Sequence, residues 1–159
     1  MIREFRPTDM NRIIRLAREH EQESGVQSIL PIDDVYFTNA VRDALIDVNH
    51  KLFVAETNGE VVGYALIGVT QKIWNPTMYG DVFFFYIHQS IRNKYLADSL
   101  WNQCVIWFKE QGCRFMECSV ALFDNNFQGV DNYIERASKY FEHKGASHMG
   151  NHFVLDLEE

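Results

Sequence analysis

Apolar and charged residues are interspersed over Ile2, Arg3, Glu4, Phe5 and Arg6, which reads as a short strand feeding a helix. Pro7-Thr8-Asp9 then breaks the run and offers Asp9 as a helix N-cap. Ile13, Leu16, Ala17 and His20 recur at helical spacing up to Gly25, which predicts a first helix over 9–23. Asp33-Asp34 opens a second helix whose apolar face is Phe37, Val41, Ala44, Leu45 and Val48, ending near His50. Leu52–Ala55 and Val61–Ile67 flank Asn58-Gly59, a pair suited to the positive φ angles of a two-residue turn, and so predict a β-hairpin.

Beyond a loop holding Trp74, Asn75 and Pro76, the aromatic run Tyr79–Ile87 is too short and too β-prone for a helix and reads as a central strand. Leu96, Leu100, Cys104, Trp107 and Phe108 line one side of a long helix over Asn93–Gln111, with Gly112 as its stop. Arg114–Leu122 is strand-like, 123–130 loop-like and 131–144 helical up to Gly145, and a last strand is expected over 147–157. The order β-α-α-β-β-β-α-β-α-β makes an α/β (α+β) chain, a mixed sheet with helices on both faces.

A length of 159 residues suits one domain, 1–159, without internal repeat or linker. Apolar residues at 47% supply a core large enough to offset chain entropy. The net charge of −7, with cations scattered along the chain, argues against nucleic acid as a partner. Three cysteines, Cys104, Cys113 and Cys118, match neither a CxxC pair nor a disulfide framework, so a reducing, cytoplasmic setting is expected. The charged N-terminus is unlike a secretory signal and no apolar stretch approaches a membrane span, so no membrane partner is expected. His143, His148 and His152 lack metal-site spacing, and no metal is expected.

The segment Phe85–Leu100 resembles the acetyl-CoA motif of GNAT-type N-acetyltransferases, a strand followed by Arg/Gln-x-x-Gly-x-Gly/Ala and a long helix. Arg92 stands at the first motif position and Ala97 at the last, and Tyr95 replaces the middle glycine. The opening strand, the hairpin at Asn58-Gly59 and the segment Glu135–Ala146 extend the resemblance over nearly the whole chain. It implies a mostly antiparallel sheet of six to seven strands, and acetyl-CoA as cosubstrate. It further implies transfer of the acetyl group to the primary amine of a small molecule or protein, directly within a ternary complex. A domain that kept the fold and binds acyl-CoA, or serves as a structural or interaction protein, is the alternative.

By the same resemblance, Phe85 and Ile87 would hold the pantetheine arm through their backbones, in a gap between their strand and the strand at 115–122. Arg92, Asn93, Lys94, Tyr95, Leu96 and Ala97 would form the phosphate side, where a helix N-terminus presents unpaired N–H groups and positive potential. Arg92 and Lys94 would add charge-assisted bonds. The family often places a tyrosine on the last helix as the acid that protonates the leaving thiolate. Counting back from Gly145, that position holds Phe141, and the hydroxyl falls one residue earlier on Tyr140, turned by about 100°. Tyr133 is an alternate. Glu117 and Tyr64 are candidate proton acceptors, and Asp33, Asp34 and Asp124 border the acceptor side. Trp74 and Tyr79 are candidate dimer-surface aromatics.

Overall fold

The computed structural model describes residues 1–24, 31–73, 75–119 and 133–147. The described elements run β1 (Ile2–Glu4), α1 (Met10–Ser24), α2 (Asp34–Ile46), β2 (His50–Thr57), β3 (Glu60–Lys72), β4 (Asn75–Ile87), α3 (Lys94–Glu110), β5 (Phe115–Cys118) and α4 (Tyr133–His143). The five strands lie in the order β1-β2-β3-β4-β5, each antiparallel to the next except β4 and β5, which are parallel. The sheet is thus mixed and mostly antiparallel, with five strands among the described residues where six to seven were expected. The expected strand over 147–157 lies outside the described residues from 148 onward.

Strand alternation sorts side chains onto two cores. Leu52, Val54 and Tyr64 face one side, under Ile13, Leu16 and Val41 of α1 and α2. Phe53, Ala65 and Ile67 face the other, under Leu100, Cys104 and Phe108 of α3. Helices therefore cover both faces. Burying a side chain such as Leu100, which is 0% exposed, is worth about 2 kcal/mol in removed apolar surface. A Cβ on Gly80 would lie 2.6 Å from the Phe108 ring, so only glycine there lets α3 approach β4 this closely.

The hairpin turn has Asn58 at φ 52° and Gly59 at φ 79°, the two positive angles that its sequence anticipates. Asp33 caps α2 by accepting from the Tyr36 N–H at 2.8 Å. Other expectations need correction. Asp9 does not cap α1; it closes a preceding 3₁₀ turn (Pro7–Asp9), accepting from the Arg6 N–H at 2.8 Å and from Nη1 and Nη2 of Arg3 at 2.7 and 3.0 Å. The buried α2 face is Phe37, Val41 and Ala44 alone: Leu45, within the helix, is exposed, and Val48, beyond the last helical residue Ile46, is exposed as well. Asn75 and Pro76 belong to β4, because β3 and β4 continue pairing as far as Lys72 opposite Asn75. Trp74 lies outside the described residues.

Candidate active site

The pairing of β4 shapes the site. Its partner β5 begins opposite Tyr79 and ends with Cys118 opposite Val82. One residue further, the β3–β4 register slips: Leu66 pairs with Phe84 and Ile67 with Val82, so Phe83 is an extra, bulged residue. A bulge bends its strand, and among the described residues β4 has no partner on the β5 side beyond it. A cavity of about 330 Å³ fills the opening, bounded by Val82–Ile87, the end of β5 at Cys118 and Ser119, the start of α3 and one face of α4.

Antiparallel pairing turns the main chain of alternate residues to opposite edges. The His88 N–H donates to the Val62 carbonyl at 2.9 Å, which fixes the phase. Tyr86 and Phe84 therefore pair toward β3, whereas the N–H and C=O of Phe85 and Ile87 point to the open edge. That edge is the place the sequence resemblance assigns to the pantetheine arm.

At the α3 end of the cavity, Asn93 is the N-cap and its Oδ1 accepts from the Leu96 N–H at 2.9 Å. The Ala97 N–H bonds the Asn93 carbonyl at 3.2 Å, whereas the first-turn N–H groups of Lys94 and Tyr95 have no carbonyl four residues back within the helix. Those donors, with the positive end of a 17-residue helix behind them, suit an anionic diphosphate. Tyr95 is helical and lies 82% exposed; it adopts no positive φ, so the dihedral freedom of the missing glycine is not called on. Leu96 is buried in the α3 core, and Lys94 and Ala97 line the cavity. Lys94 Nζ also lies 3.2 Å from His143 Nε2 on α4. Replacing Asn93 by alanine is expected to cost about 1 kcal/mol of stability, read from urea unfolding, because it removes this cap.

Arg92 takes a course the sequence does not foretell. Its guanidinium grips the Glu23 carboxylate of α1 at 2.5 and 2.7 Å and donates twice to the Ile87 carbonyl, at 2.9 and 2.7 Å. Burial pushes the Glu23 carboxyl up, but the Arg92 hydrogen bonds and charge outweigh it and hold the group below its ordinary value. Nearby, His20 stacks on Tyr86 with ring centroids 4.8 Å apart. Burial lowers the His20 pKa to about 4, so the ring is neutral at pH 7. His20 and Glu23 both line the cavity. Sequence reading placed His20 only as a point on an apolar helical stripe and passed over Glu23. The available signal was a titratable pair at i, i+3 on the buried face of α1.

Tyr140 and Phe141 both line the cavity, so the one-residue offset on α4 does not remove the hydroxyl-bearing ring from the wall. The Tyr140 ring stacks on Phe85 at 6.2 Å, and Phe141 packs on Trp101 at 5.2 Å. Burial first, and then the Asp98 carboxylate beside it, raise the Tyr140 phenol above its usual range and keep it protonated. Asp98 is in turn paired with Lys144 at 2.7 Å. Tyr133 begins α4.

The other candidates lie elsewhere. Tyr64 is buried in the core between the sheet and α1–α2, and Glu117 is ion-paired with Lys72 at 2.5 Å, outside the cavity. Asp34 pairs with Arg18 at 2.8 Å. Tyr79 lies under Lys72 Nζ, 4.5 Å from its ring centre. Asp124, His148 and His152 lie outside the described residues. Among the described residues no group of three or more His, Cys, Asp or Glu side chains is arranged to hold a metal, and no helix is long and apolar enough to cross a membrane.

This geometry agrees with comparisons to known proteins. The sequence profile of the acetyltransferase (GNAT) family matches residues 10–136, and the chain belongs to that family. No curated protein matches it. Among solved structures it is similar to an aminoglycoside acetyltransferase from an uncultured soil metagenomic sample in complex with sisomicin. The TM-score is 0.71 at 15% identity, over 99% of this chain and 96% of that one. A ribosomal-protein-alanine N-acetyltransferase from Brucella melitensis biovar Abortus 2308 gives 0.70 at 17% identity, over 99% and 98%. A transcriptional regulator from Bacillus halodurans C-125 gives 0.70 at 20% identity, over 98% and 99%. At these identities the likeness is one of fold.

Proposed function

We propose that the chain is a single acetyltransferase domain, 1–159, that moves an acetyl group from acetyl-CoA to a primary amine by direct transfer in a ternary complex. The observation that carries this reading is the edge of β4 beyond Val82, which has no strand partner among the described residues, with the main-chain groups of Phe85 and Ile87 turned toward a cavity that runs to the N-terminus of α3. Pantetheine is an amide chain and needs such main-chain partners, and the α3 terminus suits its diphosphate. In this reading Phe85 and Ile87 hold the arm, Asn93, Lys94, Tyr95, Leu96 and Ala97 build the phosphate side, and Arg92, which the motif places beside them, is bound to Glu23 and the Ile87 carbonyl.

The chemistry requires a neutral amine nitrogen to attack the thioester carbon, the carbon–sulfur bond to break, the thiolate to gain a proton, and the nitrogen to shed one, which restores the donor. A main-chain N–H at Ile87 meets the developing oxyanion, and Tyr140, held protonated, supplies the proton to sulfur. The acceptor is an amine-bearing small molecule or protein; relatives of this fold named for aminoglycosides and for a ribosomal-protein alanine mark those two classes. A cytoplasmic setting supplies both acetyl-CoA and reduced cysteines.

The test is release of free CoA thiol from acetyl-CoA in the presence of a panel of amines. Amine-dependent release supports the reading. CoA binding without release under any amine favours the alternative, an acyl-CoA-binding domain without turnover. Tyr140→Phe is expected to lower kcat about tenfold, ~1.4 kcal/mol in the barrier, with KM for acetyl-CoA little changed. An unchanged kcat removes Tyr140 from the chemistry.

A further inference from the structure

The motif position of Arg92 assigns its charge to the cofactor phosphates, yet its guanidinium donates twice to Glu23 and twice to the Ile87 carbonyl. Glu23 is only 7% exposed. A carboxylate so placed is costly to leave unpaired, so the pair is fixed rather than exchangeable with a solvated ligand. The guanidinium also sits over the Tyr86 ring, 5.5 Å from its centre, which adds a third attachment on β4.

We infer that Arg92 is a positioning residue, a clamp that joins the last turn of α1 to the end of β4 and covers the Ile87 carbonyl. This assignment rests on the acetyltransferase reading. Both main-chain groups of Ile87 face the open edge. With its carbonyl oxygen occupied by a cation, that residue presents only its N–H to a ligand, and the negative end of the peptide dipole is neutralised. An edge so arranged favours the carbonyl oxygen of a thioester and the oxyanion it becomes. The clamp also ties Glu23, on the α1 wall of the cavity, to the loop that leads into α3. The two sides of the opening are thereby held at a fixed separation. Phosphate binding falls instead to the first-turn N–H groups of α3 and to Lys94.

The test is calorimetric titration of the parent chain, Arg92→Met, Glu23→Gln and the double variant with CoA and with pantetheine, which lacks the phosphates. A clamp predicts that each single variant loses about tenfold in affinity for both ligands alike, and that the double variant is no worse than either single. A phosphate ligand predicts a different pattern: Arg92→Met weakens CoA and spares pantetheine, and Glu23→Gln, by freeing the guanidinium, tightens CoA. Either of those results overturns the assignment. If Arg92→Met does not fold by circular dichroism, Glu23→Gln carries the test alone: weaker binding of both ligands supports the clamp, and equal or tighter binding overturns it. A parent chain that binds neither ligand overturns the acetyltransferase reading and the clamp with it. A parent chain that binds both but shows the phosphate pattern overturns the clamp only.

Discussion

Ala97→Trp is expected to lower affinity for acetyl-CoA about a hundredfold or more, ~2.7 kcal/mol, while the chain stays folded. Ala97 lies in the first turn of α3, half-buried, with its methyl on the wall of a cavity of about 330 Å³. An indole there fills a large share of that volume. It stands between the two features a CoA ligand needs at once, the open edge of β4 and the N-terminus of α3. The substitution leaves the Asn93 cap, the Arg92–Glu23 pair and the buried residues Leu96 and Leu100 unchanged, so circular dichroism and urea unfolding should report a native-like variant. Retained affinity would mean that the ligand does not pass this wall.

Lowering the pH from 7 to 5 is expected to remove about 2 kcal/mol of folding stability through His20. Its folded-state pKa is about 4 because burial against Tyr86, Phe84 and Tyr64 disfavours the charged ring. An unfolded histidine titrates near 6.5. Between those values the unfolded chain binds a proton that the folded chain refuses, so acidification favours unfolding, and the loss is complete once pH reaches the folded value. Glu23 and Asp9 act lower. Arg92 and Arg3 hold their carboxyls below the ordinary range, so their contributions are present above the unfolded carboxyl value and fade only as pH falls beneath it. Asp81 is raised by burial and then by the Glu117 charge, so it opposes the trend as pH falls, and the share of His20 is the difference between parent and variant. Urea midpoints at the two pH values, for the parent and for His20→Phe, measure the effect; the variant should show a flatter dependence. Equal slopes would place the ring in contact with water and off the α1 wall of the cavity.

How far the sequence reveals this molecule depends on the range of the interactions involved. The Asn58-Gly59 turn and the α3 stripe Leu96, Leu100, Cys104, Trp107, Phe108 are local patterns, and all five stripe residues are buried. Asp9 shows a local signal misassigned: its carboxylate serves the turn before α1 because Arg3, a strand neighbour, reaches it. The end of α2 is misjudged for a related reason, since Val48 continues the apolar spacing after the helix has stopped. The continuation of β3 and β4 to Lys72 and Asn75 is invisible because Asn75 and Pro76 carry turn chemistry that cross-strand pairing overrides.

The site divides in the same way. The strand, loop and helix start of the proposed phosphate side are legible because they lie within one stretch of chain, with Asn93 as an ordinary N-cap. The open edge is legible only as a family resemblance, because it arises from a bulge at Phe83 and from β5 ending opposite Val82. The Arg92–Glu23 contact joins residues 69 apart in sequence and leaves no trace in spacing. Neither does the stack of His20 on Tyr86. On α4, counting from Gly145 finds Phe141 at the expected place and leaves Tyr140 out of phase; the cavity nevertheless meets both residues.

Thermal unfolding with and without acetyl-CoA, with free CoA and ATP as companions, tests the central claim most directly, because a ligand that binds only the folded chain must stabilise it. A higher melting temperature is expected with acetyl-CoA and with CoA, no rise with ATP, and loss of the shift in Ala97→Trp. An unchanged melting temperature at millimolar acetyl-CoA would contradict that claim.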